Sequence, residues 1–130
     1  MTNAKSASSW IRASCCQDNQ VRLLREEEKA LLNALLSRHK KFSKFVNEIT
    51  FGEVYDMSDG GMGSIKFIGS ENNVFGENLA EASYIDEDGV QVIITVYGDK
   101  AGGLYEVDFW KADFSPLKKY PQSDFLKIEC

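Results

Sequence analysis

Two stretches of the sequence carry residue types that could do chemistry. The first is YDMSDGGMGSIKFIG at residues 55–69, where Asp56 and Asp59 precede Gly60, Gly61, Gly63 and Ser64. The second is LYEVDFWKAD at residues 104–113, where Glu106 and Asp108 stand two apart and are followed by Trp110 and Asp113. A glycine loop can wrap a phosphate with its amides when it leads from a strand into a helix. Here the loop leads into IKFIG, which reads as a strand. Its G-G-x-G spacing fits neither nucleotide pattern, and its aspartates would repel phosphate. We read Gly60 and Gly61 as positive-φ residues of a tight connection, with Met62 as an apolar tip or a plug over the end of the sheet. Glu106 and Asp108 would share a strand face, roughly 6–7 Å apart, which suits acid–base work. The competing reading is a solvated face, since antiparallel sheets commonly leave one face wet.

Other chemistries find less support. Asp86, Asp88 and Gly89 in DEDG lack the spaced ligands and distal glutamate of a calcium loop. One histidine, His39, and no C-x-x-C pair leave zinc without a ligand set. A Cys–His dyad would need Cys15 or Cys16 folded back onto His39. With Cys130 the cysteines number three, an odd count that reads as free thiols in a reducing compartment. The expectation is no catalytic residue, no cofactor and no metal.

The elements that must position these residues follow from periodicity. Residues 1–20 are Ser-, Asn- and Gln-rich and read as a flexible tail, with Trp10 and Ile11 the apolar exceptions. Residues 21–130 read as one domain. In VRLLREEEKALLNALLSR, Leu24, Leu31 and Leu35 share a helical face with Glu28, Leu32 and Leu36 beside them. Early glutamates and the later Arg38, Lys40 and Lys41 complement the helix dipole. Phe42, Phe45, Val46 and Ile49 predict a second helix or a continuation. From Thr50 the period becomes two. Strands are expected at FGEVYDM, SIKFIG, NLAEASYID, VQVIITVYG and LYEVDFWKA, with a DEDG hairpin turned by Gly89. The fold class is α+β: one or two N-terminal helices on a four- to five-stranded antiparallel β-meander. Tyr105, Val107 and Phe109 would line one face of the last strand. Leu104, Glu106, Asp108 and Trp110 would line the other, with Phe114, Leu117 and Tyr120 in reach of Trp110.

Charge sharpens the functional reading. Residues 1–49 carry nine basic and five acidic side chains; residues 50–130 carry six and fifteen. An acidic body repels nucleic-acid phosphates and attracts a basic partner. No apolar run is long enough for a membrane span, and the start of the chain lacks a secretory signal. The expected location is therefore cytoplasmic, with neither nucleic acid nor membrane as a partner.

MSDGGMGSIKF, the DEDG turn, the REEE helix start and WKADFSPL together resemble a small uncharacterised bacterial domain family. The resemblance runs from Leu24 to Pro121 and carries no assigned chemistry. Similar small acidic proteins occur as immunity partners of bacterial toxins. By that analogy the expectation is a non-enzymatic acidic protein that neutralises a basic toxin domain by direct binding. Its partner-binding residues would be Asp56, Asp59, Met62, Asp86, Asp88, Glu106, Asp108, Trp110 and Asp113. One alternative is a small-ligand or hydrolase-like domain using the loop from Gly60 to Ser64 and the Glu106/Asp108 face. Another is a homodimeric structural or regulatory module built by edge-strand pairing.

Overall fold

The computed structural model describes residues 20–69 and 74–129. The expectations for the flexible tail, for Trp10 and Ile11, and for Cys15, Cys16 and Cys130 lie outside these residues. Two helices, α1 (Glu26–Leu36) and α2 (Phe42–Phe51), cover a seven-stranded antiparallel sheet. Its strands are β1 (Arg22–Leu23), β2 (Glu53–Asp56), β3 (Ile65–Phe67), β4 (Phe75–Ile85), β5 (Gln91–Asp99), β6 (Leu104–Lys111) and β7 (Lys127–Glu129), with a short 3-10 helix at Ser123–Phe125. The architecture is thus α+β, with more strands than the four or five expected.

The order in space is β1-β2-β3-β6-β5-β4-β7. Only β4-β5-β6 is a meander; β2 and β3 join it where β3 pairs with β6, β1 reaches β2 across both helices, and β7 returns to pair with β4, so the sheet is not one continuous meander. The join sets Ile65 opposite Val107 and Lys66 opposite Glu106. A slip of one residue would turn both apolar side chains out of the core. Hairpin signals in sequence report only neighbours, which is why this distant pairing was not anticipated.

Leucines 31, 32, 35 and 36 of α1, with Phe45 and Ile49 of α2, pack on Val54, Ile65, Phe67, Ala82, Tyr84, Val92, Ile94, Val96, Leu104, Val107 and Phe109. Each such fully buried apolar side chain contributes about 1.5–3 kcal/mol. Helix α1 packs against β4. Its first turn holds Glu26, Glu27 and Glu28, and the Arg25 amide donates to Glu28 Oε1 at 2.8 Å. Glu28 is itself buried and takes both Arg22 guanidinium nitrogens, at 2.7 and 2.9 Å. The predicted basic residues do not reach the last turn of α1, because the helix ends at Leu36. Thr50 and Phe51 close α2 rather than opening a strand. That helix ends where Gly52 turns extended, and glycine fits there because a Cβ would run into the Glu48 carbonyl oxygen.

Leu104 departs from its expected face. A register shift where Tyr97 gives way to Gly98 inserts one residue into β6. Leu104 is thereby buried in the core, and Tyr105 instead carries the Lys66 ammonium 4.9 Å from its ring centre.

Candidate functional site

Strand β6 divides the site into two sides. Phe109 faces the helices, so Lys111, two residues on, must face them too. Its side chain is 0% exposed. The ammonium donates to Asp86 Oδ2 at 2.9 Å, to Asp88 Oδ2 at 2.6 Å and to the Pro116 carbonyl at 3.0 Å. Asp86 also accepts the amides of Glu87 at 2.7 Å, Lys118 at 2.8 Å and Lys119 at 3.0 Å. Burial alone would push the Asp86 carboxyl up; these donors outweigh it and bring it down to about 2. Burial alone would likewise lower the Lys111 pKa, and the two carboxylates raise it instead.

The glycine loop closes over the same corner. Gly60, Gly61 and Gly63 all have positive φ, at 76°, 84° and 105°. The φ at Gly61 would strain any other residue, and a Cβ there would meet the Pro116 ring at 3.2 Å. The Gly61 carbonyl accepts the Leu117 amide at 3.1 Å. Asp59 accepts the amides of Met62 at 3.1 Å and Ser64 at 2.8 Å. Ser64 is buried, and its Oγ accepts the Phe109 amide at 2.9 Å. The loop is therefore a joint that locks β3, β6 and residues 112–121 together.

The other side of β6 is partly open: Trp110 is exposed, Glu106 and Asp108 are half-buried, and Thr95 is buried. Glu106, Asp108 and Trp110 lie opposite Tyr97, Thr95 and Ile93 of β5. Neither helix covers this face among the described residues. Trp110 is 40% exposed, and Phe114, 65% exposed, stands edge-on to it at 6.0 Å. Phe114 holds φ at 63°, the left-handed region, although it carries a side chain. Its amide donates to the Lys111 carbonyl at 2.8 Å, and Asp113 caps Ser115 through both the amide and the hydroxyl, at 3.0 and 2.7 Å. Among the described residues Phe114 is the aromatic side chain of the tail that meets Trp110. Tyr120 packs on Phe109 at 5.5 Å and Leu117 lies against Gly63, both on the helix side. Burial pushes the Glu106 carboxyl up and Asp108 adds to it. Burial also raises Asp108, with the Ser64 hydroxyl opposing and Asp59 adding.

The nine expected partner-binding residues separate accordingly. Trp110 meets Phe114, and Asp113 precedes Phe114 in the chain; Glu106 and Asp108 share the strand face of Trp110, and Asp59 acts on Asp108 from the glycine loop. Asp86 is 3% exposed and spends its oxygens on Lys111 and three backbone amides, away from the Trp110 face. Met62 packs against the core and its sulfur accepts the Lys111 amide at 3.3 Å, which makes it a plug rather than a tip. Asp88 keeps one edge to solvent while binding Lys111. Asp56 lies elsewhere, held by Arg22 at 2.8 and 3.3 Å, and that hydrogen bonding lowers its pKa. Sequence reasoning missed Lys111 as an inward residue, although it continues the alternation of Val107 and Phe109. It also missed the strain at Phe114, for which no local signal exists.

A cleft of about 170 Å³ is lined by Tyr84, Ile85, Tyr120 and Phe125, among others. A second, of about 260 Å³, lies between α1 and the β4–β7 edge, and a third of similar size lies by Lys41 and Asp99. None of these three reaches Glu106, Asp108 or Ser64. Among the described residues no cluster of His, Cys, Asp or Glu could hold a metal ion, and no helix is long and apolar enough to cross a membrane.

Fold and site together define a small α+β domain with one covered and one open sheet face. The model of a domain of unknown function, DUF6984, matches residues 21–121, and the chain belongs to that family. No curated protein and no solved structure matches the chain.

Proposed function

We propose that this protein is a non-enzymatic binding protein whose open sheet face docks a basic protein, and that it serves as an immunity protein neutralising a toxin domain. The observation that carries this reading is Phe114. An exposed aromatic held in the left-handed region costs on the order of 1–2 kcal/mol, and such strain clusters at functional positions. Its ring rests on Trp110, with Asp108 and Asp113 flanking. An aromatic anchor with a charged rim is the composition of an interface hot spot. The excess of acidic residues after residue 49 would speed encounter with a basic partner.

The test is pull-down and protection with the product of the adjacent gene in the native host. The expected result is a complex that weakens with salt and with Trp110→Ala. A chain that forms no such complex and gives its host no protection would sink the reading.

A hydrolase-like reading takes its support from the raised carboxyls of Glu106 and Asp108 near the Ser64 hydroxyl, 3.4 Å from Asp108. Against it, the Ser64 hydroxyl is buried and engaged with the Phe109 backbone. The homodimer reading is tested by mass in solution.

A further inference from the structure

The acidic chain has one strongly cationic corner. Arg38, His39, Lys40 and Lys41 occupy the turn after α1, and Lys44 follows in α2. Lys41 pairs with Glu77 at 3.4 Å. Among the described residues no ion pair engages Arg38, Lys40 or Lys44.

Beside that turn lies the cleft of about 260 Å³ between helix and sheet edge. Its helix wall is Leu35, Arg38 and His39; its sheet side is Leu79, Ala80 and Ile128. Glu129 is the single acid lining it. The sheet side is also an edge. β7 pairs with β4 only at Glu81, Ala82 and Ser83. Residues 75–80 of β4 have no strand on that side among the described residues. Open strand edges accept added strands through main-chain hydrogen bonds, while flanking pockets select side chains.

We propose that this groove binds an extended acidic peptide, added to the β4 edge in line with β7. One apolar side chain of the peptide enters between Leu35, Leu79 and Ile128, and a neighbouring carboxylate pairs with Arg38. Charge chooses the occupant: Arg38 lines the groove and Lys40 stands two residues on in the same turn, against Glu129 alone among the lining acids. The bulges of β4, between Phe75 and Glu77 and between Asn78 and Ala80, interrupt its spacing. They limit the added strand to a few residues, so the affinity is modest. This site is independent of the open face and takes a partner of opposite charge.

The test is amide and methyl NMR titration of the full chain with two synthetic probes, acetyl-Asp-Val-Leu-Asp-amide and acetyl-Lys-Val-Leu-Lys-amide. The acidic probe is expected to shift Asn78, Ala80 and Ile128 saturably. It should bind about tenfold more tightly than the lysine probe at low salt, a gap that closes as salt screens the pair. Arg38→Glu, a surface change that leaves the fold intact, should reverse the preference. Ala34→Trp, which fills the groove from the helix, should abolish binding; Trp110→Ala should leave it unchanged. Equal affinities, no saturable shift, or unaltered preference in Arg38→Glu would overturn the proposal. So would shifts that follow protein concentration without peptide, since a second copy would then fill the groove.

Discussion

Trp110 and Lys111 are neighbours in the chain and opposites in environment. The lysine is sealed from water with every proton of its ammonium placed. The tryptophan is 40% exposed, beside a strained phenylalanine. One step along a strand is enough, because successive side chains point to opposite faces. The difference separates what holds the domain together from what it can offer. The glycine loop, the DEDG turn, Lys111 and Pro116 all meet on the sealed side. The motifs that look most like chemistry in sequence are therefore the parts of a joint. The open side carries only short-range marks: Trp110, Phe114 and the carboxylates of Glu106, Asp108 and Asp113.

The sealed side is where a single change should do most damage. Removing one member of a buried ion pair strands the other, at a cost of about 3–5 kcal/mol. Asp86→Ala should fall in that range by chemical denaturation, since it also frees the amides of Glu87, Lys118 and Lys119. The double change Asp86→Leu with Lys111→Met should recover only the part owed to the stranded ammonium, since the amides of Glu87, Lys118 and Lys119 stay unpaired. A single mutant that unfolds at the wild-type midpoint would mean that the joint is not where stability resides.

Acid should separate the two sides by sign. Asp86 titrates at about 2 in the folded chain, below the ordinary aspartate value of 3.8. Its contribution is complete above that ordinary value and is lost as pH falls toward 2. Lys111 is raised, so its contribution is complete below its ordinary value and fails only in strong alkali. Glu106 and Asp108 behave the other way: both are raised by burial, and protonating them as pH falls adds stability. Unfolding measured from pH 7 downward should stay level or rise slightly, then fall steeply below about pH 4. Asp86→Asn should make the fall shallower without abolishing it, because Asp56 and Asp113 are also held below the ordinary aspartate value by their hydrogen bonds to Arg22 and Ser115.

How much of this was legible beforehand follows from the range of each signal. The leucine stripe of α1, the phenylalanines of α2 and the alternation of β5 are local, and they were readable. So were the positive-φ glycines at 60, 61 and 89, which turn chemistry demands. The β3–β6 join is non-local and left no trace in either strand. The bulge that buries Leu104 was equally silent. Lys111 was readable in principle: an inward position after Phe109 obliges a lysine to find carboxylates, and Asp86 and Asp88 were already in view. An acidic turn reads as surface charge, which is why Asp86 stands among the expected partner-binding residues.

On the open side the expected effects are smaller for stability and larger for binding. Trp110→Ala should cost at least about 2 kcal/mol of partner affinity, roughly thirtyfold, if Trp110 is a hot spot. The same change should move folding stability by under about 1 kcal/mol, as for most partly exposed positions. Equal losses in both measurements would place Trp110 with the joint rather than with the interface.

The finest test of the comparison is Phe114. Both Phe114→Ala and Phe114→Asn remove the ring from Trp110, so both should weaken partner binding to a similar degree. They differ in backbone preference, since asparagine tolerates the left-handed region and alanine does not. With φ held at 63°, the asparagine variant should be more stable than the alanine variant by about 0.5–1 kcal/mol. Thermal unfolding of the two side by side reads that gap, whatever each loses against the parent. If they unfold together, the backbone at this position is relaxed, and the open face would lose the strain that sets it apart from an ordinary solvated sheet.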